Sequence, residues 1–346
     1  MVAFVAMHSL PAEHFAIFEA ILVKNSIPVR MIVGGVAKKA LGSRLPDVDM
    51  DIWSDLGVKE FSAEVASVCE FANIILVGIG HQFAGHFLEA ITNRYGDSKR
   101  VILYYENPEV FVPGGYSELA QAAVTLGKPA EILFANRNLA ASDVDVCQGI
   151  DDVRKIGLGY YPMQEIETLR KLRADKKIED EKVIVYLGGA EVNSDYFCEA
   201  LPAFIDMMSK ISLEDSPTTL IFRKHPRSTG LDWSMVKALE VPGLTVLLDQ
   251  DSLLNTLARA DYTLYYQTSL SPMLVLAGVN PIQVGHVVYN EVLVEKGVIP
   301  VAVTVAELGS LLEKSNGIVS DEVVYDAIGY DRECEANLVR LLSEGV

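Results

Sequence analysis

The segment Thr219-Leu220-Ile221-Phe222-Arg223-Lys224-His225-Pro226-Arg227 joins a short apolar run to a cluster of basic residues. The apolar run predicts a buried strand, and Pro226 ends that strand because proline has no backbone N–H to donate. Ligands of open parallel sheets bind beyond the carboxyl ends of the strands. We therefore expect a parallel sheet with an anion-binding edge in this half of the chain.

Apolar runs of strand length alternate with segments of helical spacing on both sides of this segment. We predict strands at residues 2–7, 29–33, 74–78, 101–105, 131–134, 183–187, 220–222, 244–248, 262–266 and 281–284. The alternation is typical of parallel sheets that helices cover on both faces. The predicted fold class is α/β, with two tandem doubly wound Rossmann-like domains that face each other across a cleft.

A connector that contains glycine and proline, Ile156–Pro162, separates the two series of strands, and a highly charged helical segment follows it. Connectors of this composition often mark domain boundaries. We predict an N-terminal domain over residues 1–160 and a C-terminal domain over residues 161–346. A cleft between two such domains is the expected place for a ligand.

The chain carries 47 acidic and 29 basic residues, which gives a formal net charge of −18. This excess of negative charge argues against nucleic acids and anionic membrane surfaces as partners. The cysteines Cys69, Cys147, Cys198 and Cys334 lack metal-ligand spacing, and we expect them to be reduced in a cytoplasmic protein. No apolar window reaches the roughly 20 residues of a transmembrane segment. The sequence leaves room for an oligomer.

The basic cluster offers three kinds of donor for an anion. Arg227 carries a planar guanidinium, Lys224 a point charge, and His225 an imidazole that titrates near neutral pH. In so acidic a chain, the cluster favours a clamp for phosphate or carboxylate. A solvated basic loop after a strand is the alternative explanation.

Small hydroxyl residues follow the predicted strand 262–266, in the sequence Gln267-Thr268-Ser269-Leu270-Ser271-Pro272. Ser271 is a candidate N-cap of a helix that starts near Pro272. The free N–H groups of a helix start, together with the hydroxyls of Thr268 and Ser269, would bind a phosphate. Ordinary helix capping needs only one of these hydroxyls and explains the pattern equally well.

Other candidate residues follow predicted strands in both domains. Gly188 and Gly189 would let backbone N–H groups approach a ligand, although two glycines alone do not make a dinucleotide fingerprint. In the first domain, Glu106 and His8 are candidates for a catalytic base that removes a proton from an acceptor hydroxyl. Each is also compatible with an ordinary loop residue. The sequence shows no metal-ligand spacing and no Ser-His-Asp order.

Two motifs of the second half resemble those of GT-B-fold glycosyltransferase-like proteins. The first is Lys224-His225-Pro226, and the second runs from Ala260-Asp261-Tyr262 through Thr268-Ser269 to Gly278-Val279-Asn280-Pro281-Ile282. Relatives with similar motifs include bacterial sialyl- and polysialyltransferases, CDP-glycerol glycerophosphotransferases and UDP-N-acetylglucosamine 2-epimerases. The resemblance implies that the second domain binds a nucleotide donor and the first an acceptor. It also implies that the final helix, about residues 322–343, packs back on the first domain.

The resemblance implies a metal-independent glycosyltransferase in surface-carbohydrate biosynthesis, with a carbohydrate or lipid-linked acceptor and no cofactor beyond its nucleotide-sugar donor. Many relatives carry a glutamate for the donor ribose where this chain has Met273. That departure favours a CMP- or CDP-linked donor over a UDP-linked one. The alternatives are a phosphotransferase or a nucleotide-sugar 2-epimerase on the same fold, or a non-catalytic GT-B-like protein that binds an anion or a partner. The implied substrate-binding residues are Lys224, His225, Arg227, Gly188, Gly189, Gln267, Thr268, Ser269 and Ser271.

Overall fold

A computed structural model describes the chain over residues 1–35, 37, 57–79, 82–106, 116–141, 153–175, 181–189, 194–213, 217–225, 228–285, 291–314 and 319–344. The chain divides into two compact units. The first unit comprises Met1–Tyr161 together with Ile328–Val346, and the second comprises Pro162–Ala327. None of the helices in the described residues combines the length and the apolar character that a membrane crossing requires.

The first unit contains a six-stranded parallel sheet with the strand order β2-β1-β3-β4-β5-β6. Its strands are β1 (Val2–Ala6), β2 (Val29–Val33), β3 (Ile74–Gly78), β4 (Arg100–Tyr105), β5 (Glu131–Phe134) and β6 (Arg154–Gly157). Its helices are α1 (Ser9–Lys24), α2 (Val58–Val68), α3 (Phe83–Tyr95), α4 (Tyr116–Gly127), α5 (Arg137–Ala141) and α14 (Cys334–Ser343). The chain order reverses between β1 and β3, so their carboxyl ends form a topological switch point.

Apolar side chains cover both faces of the first sheet. Strands β1 and β3 are buried along their whole length because helices lie over each face. One helical layer packs around Phe61 and Phe87 of α2 and α3. The other packs around Phe15 of α1 and Leu338 of α14. Burial of one such side chain contributes about 1.5–3 kcal/mol, which makes α14 an integral part of this core.

The second unit contains another six-stranded parallel sheet, with the strand order β12-β11-β10-β7-β8-β9. Its strands are β7 (Lys182–Leu187), β8 (Thr218–Arg223), β9 (Leu244–Leu248), β10 (Tyr262–Tyr265), β11 (Asn280–Val284) and β12 (Val301–Ala302). Its helices are α6 (Met163–Ala174), α7 (Leu201–Lys210), α8 (Leu231–Val236), α9 (Leu253–Arg259), α10 (Ser271–Leu276), α11 (Val292–Glu295), α12 (Val305–Glu313) and α13 (Asp321–Ala327). The first strand of this unit lies beside the fourth, so the switch point falls between β7 and β10.

Several elements differ from the sequence predictions. Strand β6 lies in the segment predicted as a connector, and its side chains are at most half-buried, so no apolar run marks it. The single tail helix predicted near residues 322–343 is wrong in its extent, because two helices, α13 and α14, occupy this segment. Gly329 separates them with a φ of +59°, in the left-handed region that favours glycine.

Candidate functional site

Three loops leave the second sheet side by side at the carboxyl ends of its central strands. Leu187 at the end of β7 is in register with Arg223 of β8 on one side and with Tyr265 of β10 on the other. The loops that follow therefore start at one edge of the sheet: 188–189 after β7, 224–225 after β8 and 266–271 after β10. This edge includes the switch point between β7 and β10, where open α/β sheets bind ligands.

Arg223 belongs to the basic cluster in the sequence but is engaged inside the protein. Its guanidinium Nη1 donates a hydrogen bond to Asp249 Oδ2, and the two side chains form an ion pair. Asp249 also accepts a hydrogen bond from the Thr256 hydroxyl at 2.8 Å. Lys224, the next residue, is exposed to solvent. Arg227 lies outside the described residues, and its place in an anion site stays a prediction.

The loop that carries His225 is held by a buried carboxylate that the sequence patterns did not reveal. The Ser228 backbone N–H donates to the His225 carbonyl at 2.8 Å. The Ser228 hydroxyl and the Trp233 backbone N–H each donate to Asp232 Oδ1 at 2.8 Å. Asp232 is fully buried. This network fixes the backbone of half-buried His225 at the edge of the sheet.

The glycines after β7 are explained first by packing. The Gly188 backbone N–H donates to the Arg223 carbonyl at 2.9 Å and so continues the strand ladder. A Cβ atom on Gly189 would lie 2.6 Å from the Tyr196 ring, closer than any real side chain allows. The Gly189 backbone also hydrogen-bonds to the Tyr196 hydroxyl. Contact of these glycines with a ligand therefore stays a prediction.

The loop 266–271 presents polar residues at the same edge. Gln267 and Thr268 are half-buried, and Ser269 is exposed. The Thr268 hydroxyl accepts a hydrogen bond from the Leu270 backbone N–H at 3.2 Å. These hydroxyl and amide groups are of the kind that binds phosphate oxygens.

Ser271 lies behind this loop, because its residue is fully buried. The prediction of Ser271 as the N-cap is wrong by one residue: Leu270 is the N-cap and Ser271 is the first residue of α10. The dipole of α10 is small because the helix has only six residues. A phosphate at this loop would therefore rely on the residues before the helix. Met273, at the place of the expected ribose carboxylate, is buried within α10.

Glu291 supplies a carboxylate to the same loop. It is fully buried, and it accepts hydrogen bonds from the Tyr265 hydroxyl at 2.9 Å and from the Thr268 backbone N–H at 3.3 Å. Burial raises the pKa of Glu291 to about 7, while hydrogen bonds from Tyr265 and Thr268 act in the opposite direction. The Glu291 carboxyl therefore titrates near neutral pH.

Gln283 of β11 supports the loop from a second point, since its side-chain Nε2 donates to the Tyr266 carbonyl at 3.1 Å. Neither Gln283 nor Glu291 stands out in the sequence. The available signal is that Glu291 follows β11, whose carboxyl end lies at the same edge as that of β10. The position of Glu291 after β11 points to this site only when the pairing of β10 with β11 is known.

Two arginines elsewhere in the second unit are engaged with other protein groups. Arg170 pairs with Asp321 at 2.7 Å. Arg173 donates to the Ala260 carbonyl at 2.7 Å and the Gly278 carbonyl at 2.9 Å. Within the described residues, no cluster of three or more histidine, cysteine, aspartate or glutamate side chains is arranged to hold a metal ion.

The catalytic candidates of the first unit lie at the carboxyl edge of its sheet. His8 is half-buried at the N-cap position of α1, just after β1. Glu106 directly follows β4 and is buried. β3 lies between β1 and β4, so the two strand ends are about 10 Å apart at the usual spacing of 4.8 Å. Whether these two residues act on a substrate stays a prediction.

Glu106 has the environment of a neutral carboxylic acid. Neither of its carboxylate oxygens receives a hydrogen bond from another described residue. Burial raises the pKa of Glu106 well above the usual value of a glutamate. Strong pKa shifts of this kind are common at functional sites, because structural positions rarely retain a buried carboxyl without a partner.

A second titratable pair in the first unit belongs to the core. His14 of α1 is buried, and its Nδ1 atom lies 2.8 Å from the Tyr104 hydroxyl. Burial lowers the pKa of His14 to about 3 and raises that of Tyr104. Both groups are therefore neutral at physiological pH, with the phenol donating to the imidazole. The contacts of His14 with Phe18 and Tyr160 complete an aromatic cluster.

Comparison with solved structures identifies the fold. The UDP-GlcNAc 2-epimerase of Methanocaldococcus jannaschii in complex with UDP-GlcNAc and UDP matches with 13% identity and a TM-score of 0.65, over 100% of both chains. The UDP-GlcNAc 2-epimerase of Neisseria meningitidis bound to UDP-GlcNAc matches with 12% identity and a TM-score of 0.66, over 99% of this chain and 98% of that chain. The UDP-forming α,α-trehalose-phosphate synthase of Burkholderia xenovorans in complex with glucose-6-phosphate matches with 11% identity and a TM-score of 0.60, over 99% of this chain and 100% of that chain.

No protein-family model and no curated protein matches the chain. At identities of 11–13%, the structural matches establish the fold. The predicted α/β class with two Rossmann-like units is confirmed, and so is the resemblance to GT-B-fold proteins.

Proposed function

We propose that this chain is a nucleotide-sugar enzyme whose second unit binds the nucleotide part of the donor at the carboxyl edge of its sheet. The convergence of the loops 188–189, 224–225 and 266–271 at the switch point carries this proposal. Lys224 and His225 supply positive charge, and Thr268 and Ser269 supply hydroxyl donors for the phosphate. Fixed donors of this kind stabilise a departing nucleotide phosphate, so the reaction can proceed without a metal ion.

The leading reaction is transfer of the donor sugar to an acceptor hydroxyl in the synthesis of a surface carbohydrate. The first unit would bind the acceptor and supply the proton-transfer groups, for which His8 and Glu106 are the candidates. The raised pKa of Glu106 makes it a strong base once it is ionised, but keeps it protonated at rest. The half-buried His8 imidazole lies just after β1 and suits the role of a base.

A second candidate reaction is inversion of the donor sugar at C2. Inversion at a ring carbon requires one group that removes a proton and another that delivers a proton to the opposite face. A buried Glu106 whose pKa is raised well above the usual value of a glutamate suits the delivering group. The two 2-epimerases of the same fold give this alternative additional support.

Nucleotide binding tests both candidates together. UDP, CDP, CMP and GDP are titrated into the wild-type protein by calorimetry and thermal shift. We expect at least one of these nucleotides to bind, and we expect His225→Ala to weaken that binding by about tenfold or more, as for loss of a charge-assisted hydrogen bond. The matched control is His86→Ala, which removes a partly exposed histidine of α3 in the first unit. Equal affinities of the wild type and His225→Ala would remove His225 from the site.

Product analysis in D₂O distinguishes the two candidate reactions, sugar transfer and inversion at C2. Inversion at C2 gives a sugar nucleotide that is still intact, with deuterium at C2 detected by NMR. Transfer gives free nucleotide in proportion to a glycosylated acceptor, with no deuterium at C2. Failure of every nucleotide to bind would instead support a GT-B-like protein that is not a nucleotide-sugar enzyme.

A further inference from the structure

Glu291 contacts the 266–271 loop from a different strand connection. We propose that Glu291 is a positioning residue for nucleotide binding: its buried carboxylate holds this loop in the shape that presents Thr268 and Ser269 to the donor phosphate. This inference rests on the proposed function of the second unit. It goes further by assigning the support of the phosphate loop to one side chain.

The bonds of Glu291 join the strand end to the middle of the loop. Tyr265, whose hydroxyl donates to Glu291 Oε2 at 2.9 Å, is the last residue of β10. Thr268, whose backbone N–H donates to Oε1 at 3.3 Å, lies in the middle of the loop. One carboxylate thus holds the end of the strand and the centre of the loop together.

The side chain of Glu291 is not needed by its own helix. Glu291 occupies the N-cap position of α11 but makes no capping bond with its side chain among the described residues. Its backbone carbonyl accepts the Glu295 N–H at 2.8 Å instead. Glu307 of α12 shows the contrast, because its side chain completes a capping box with Thr304. The contacts of the Glu291 carboxylate are therefore directed to the loop.

The charge of Glu291 is not balanced by a basic side chain in the described part of the chain. In the helices near α11, Lys296 pairs with Asp326 at 3.2 Å and Arg170 pairs with Asp321 at 2.7 Å. A buried carboxylate without a cation destabilises the fold relative to a neutral group of the same shape. The hydrogen bonds from Tyr265 and Thr268 are therefore the contacts that offset burial of the Glu291 carboxyl group.

Titration of Glu291 gives the positioning role a measurable signature. Tyr265 is the titratable group bonded to the carboxylate, while Thr268 contributes a neutral donor, and burial raises the pKa of Glu291 to about 7. A phosphate bound beside Thr268 adds negative charge, which favours the protonated form of the nearby acid. Nucleotide binding should therefore take up protons at neutral pH.

The test measures binding of UDP, CDP and CMP by calorimetry to four proteins: the wild type, Glu291→Ala, Glu291→Gln and the control Glu307→Gln. Glu291→Ala loses both bonds to the loop and is expected to weaken binding by about tenfold or more. Glu291→Gln keeps the shape and one acceptor, and is expected to bind within about threefold of the wild type at pH 7. Glu307→Gln removes an exposed carboxylate of the second unit, keeps the capping box because glutamine also accepts at this position, and is expected to leave affinity unchanged.

The pH dependence of nucleotide affinity tests the role of Glu291 even if Glu291→Ala does not fold. Affinity is compared between the wild type and Glu291→Gln from pH 6 to pH 8, because every other titrating group contributes equally to both proteins. The wild type is expected to gain more affinity as pH falls, and its proton uptake is expected to be smaller in Glu291→Gln. Identical pH profiles, or unchanged affinity in Glu291→Ala, would overturn this inference alone. Absence of nucleotide binding to the wild type would overturn the proposed function with it.

Discussion

The buried pair of His14 and Tyr104 predicts a specific loss of stability in mild acid. The pKa of His14 is lowered from 6.5 to about 3 in the folded protein. The folded state therefore binds fewer protons than the unfolded state below pH 6.5, and stability falls as pH decreases toward 3. The linkage relation gives a loss of about 0.8 kcal/mol at pH 6 and about 2.5 kcal/mol at pH 4.5, relative to pH 7.5.

The variant His14→Gln isolates this contribution, because glutamine can still accept the Tyr104 hydrogen bond but does not titrate. Urea unfolding is measured by circular dichroism from pH 7.5 to 4.5, and hydrogen exchange of β1 reports on the first unit. We expect the variant to be less stable than the wild type at pH 7.5, with the difference shrinking by about 2.5 kcal/mol at pH 4.5. Parallel pH profiles, or an NMR titration of His14 near pH 6, would refute the reasoning.

Two further predictions concern the sites themselves. Glu106→Gln removes a buried acid whose raised pKa costs stability as pH rises above 4.5, so the variant should gain stability relative to the wild type as pH rises from that value. The same variant should lose about 10²- to 10⁴-fold in turnover, and unchanged turnover would exclude Glu106 from catalysis. Gly189→Ala places a Cβ 2.6 Å from the Tyr196 ring and should cost about 1–3 kcal/mol in thermal unfolding. The control Gly309→Ala, in α12 with no atom within 4 Å of the new Cβ, should be neutral or stabilising.

The sequence predicted the strands that are buried on both faces, because such strands are continuous apolar runs. Val183–Leu187 and Ile74–Gly78 are examples, and both lie inside the sheets. The edge strands β6 and β12 escaped prediction, since β6 has half-exposed side chains and β12 has only two residues. The edge strand β9 is also half-exposed, but it was predicted because Leu244–Leu248 is a mostly apolar run. Recognition therefore depended on an apolar run of strand length, which β6 and β12 lack.

The sequence predicted those residues of the candidate site that directly follow an apolar strand. Lys224, His225 and Thr268 follow strands, and their shared edge follows from a parallel sheet. Arg223 was grouped with them because it is adjacent in sequence, whereas its partner Asp249 is 26 residues away. Glu291 was missed for the same reason, since its contact with Thr268 spans 23 residues. Contacts at such separations depend on strand order, which no local pattern specifies.

The division of the chain has a consequence for the order in which it folds during synthesis. Residues Ile328–Val346 belong to the first unit, but the ribosome makes them after the whole second unit. Leu338 of α14 fills the first core, and Arg100 of β4 donates to the α14 carbonyl of Leu341 at 2.8 Å. The second unit can therefore fold as a continuous segment while the nascent first unit still exposes an unfilled apolar surface. Chaperone contact during translation should concentrate on that surface until α14 leaves the exit tunnel.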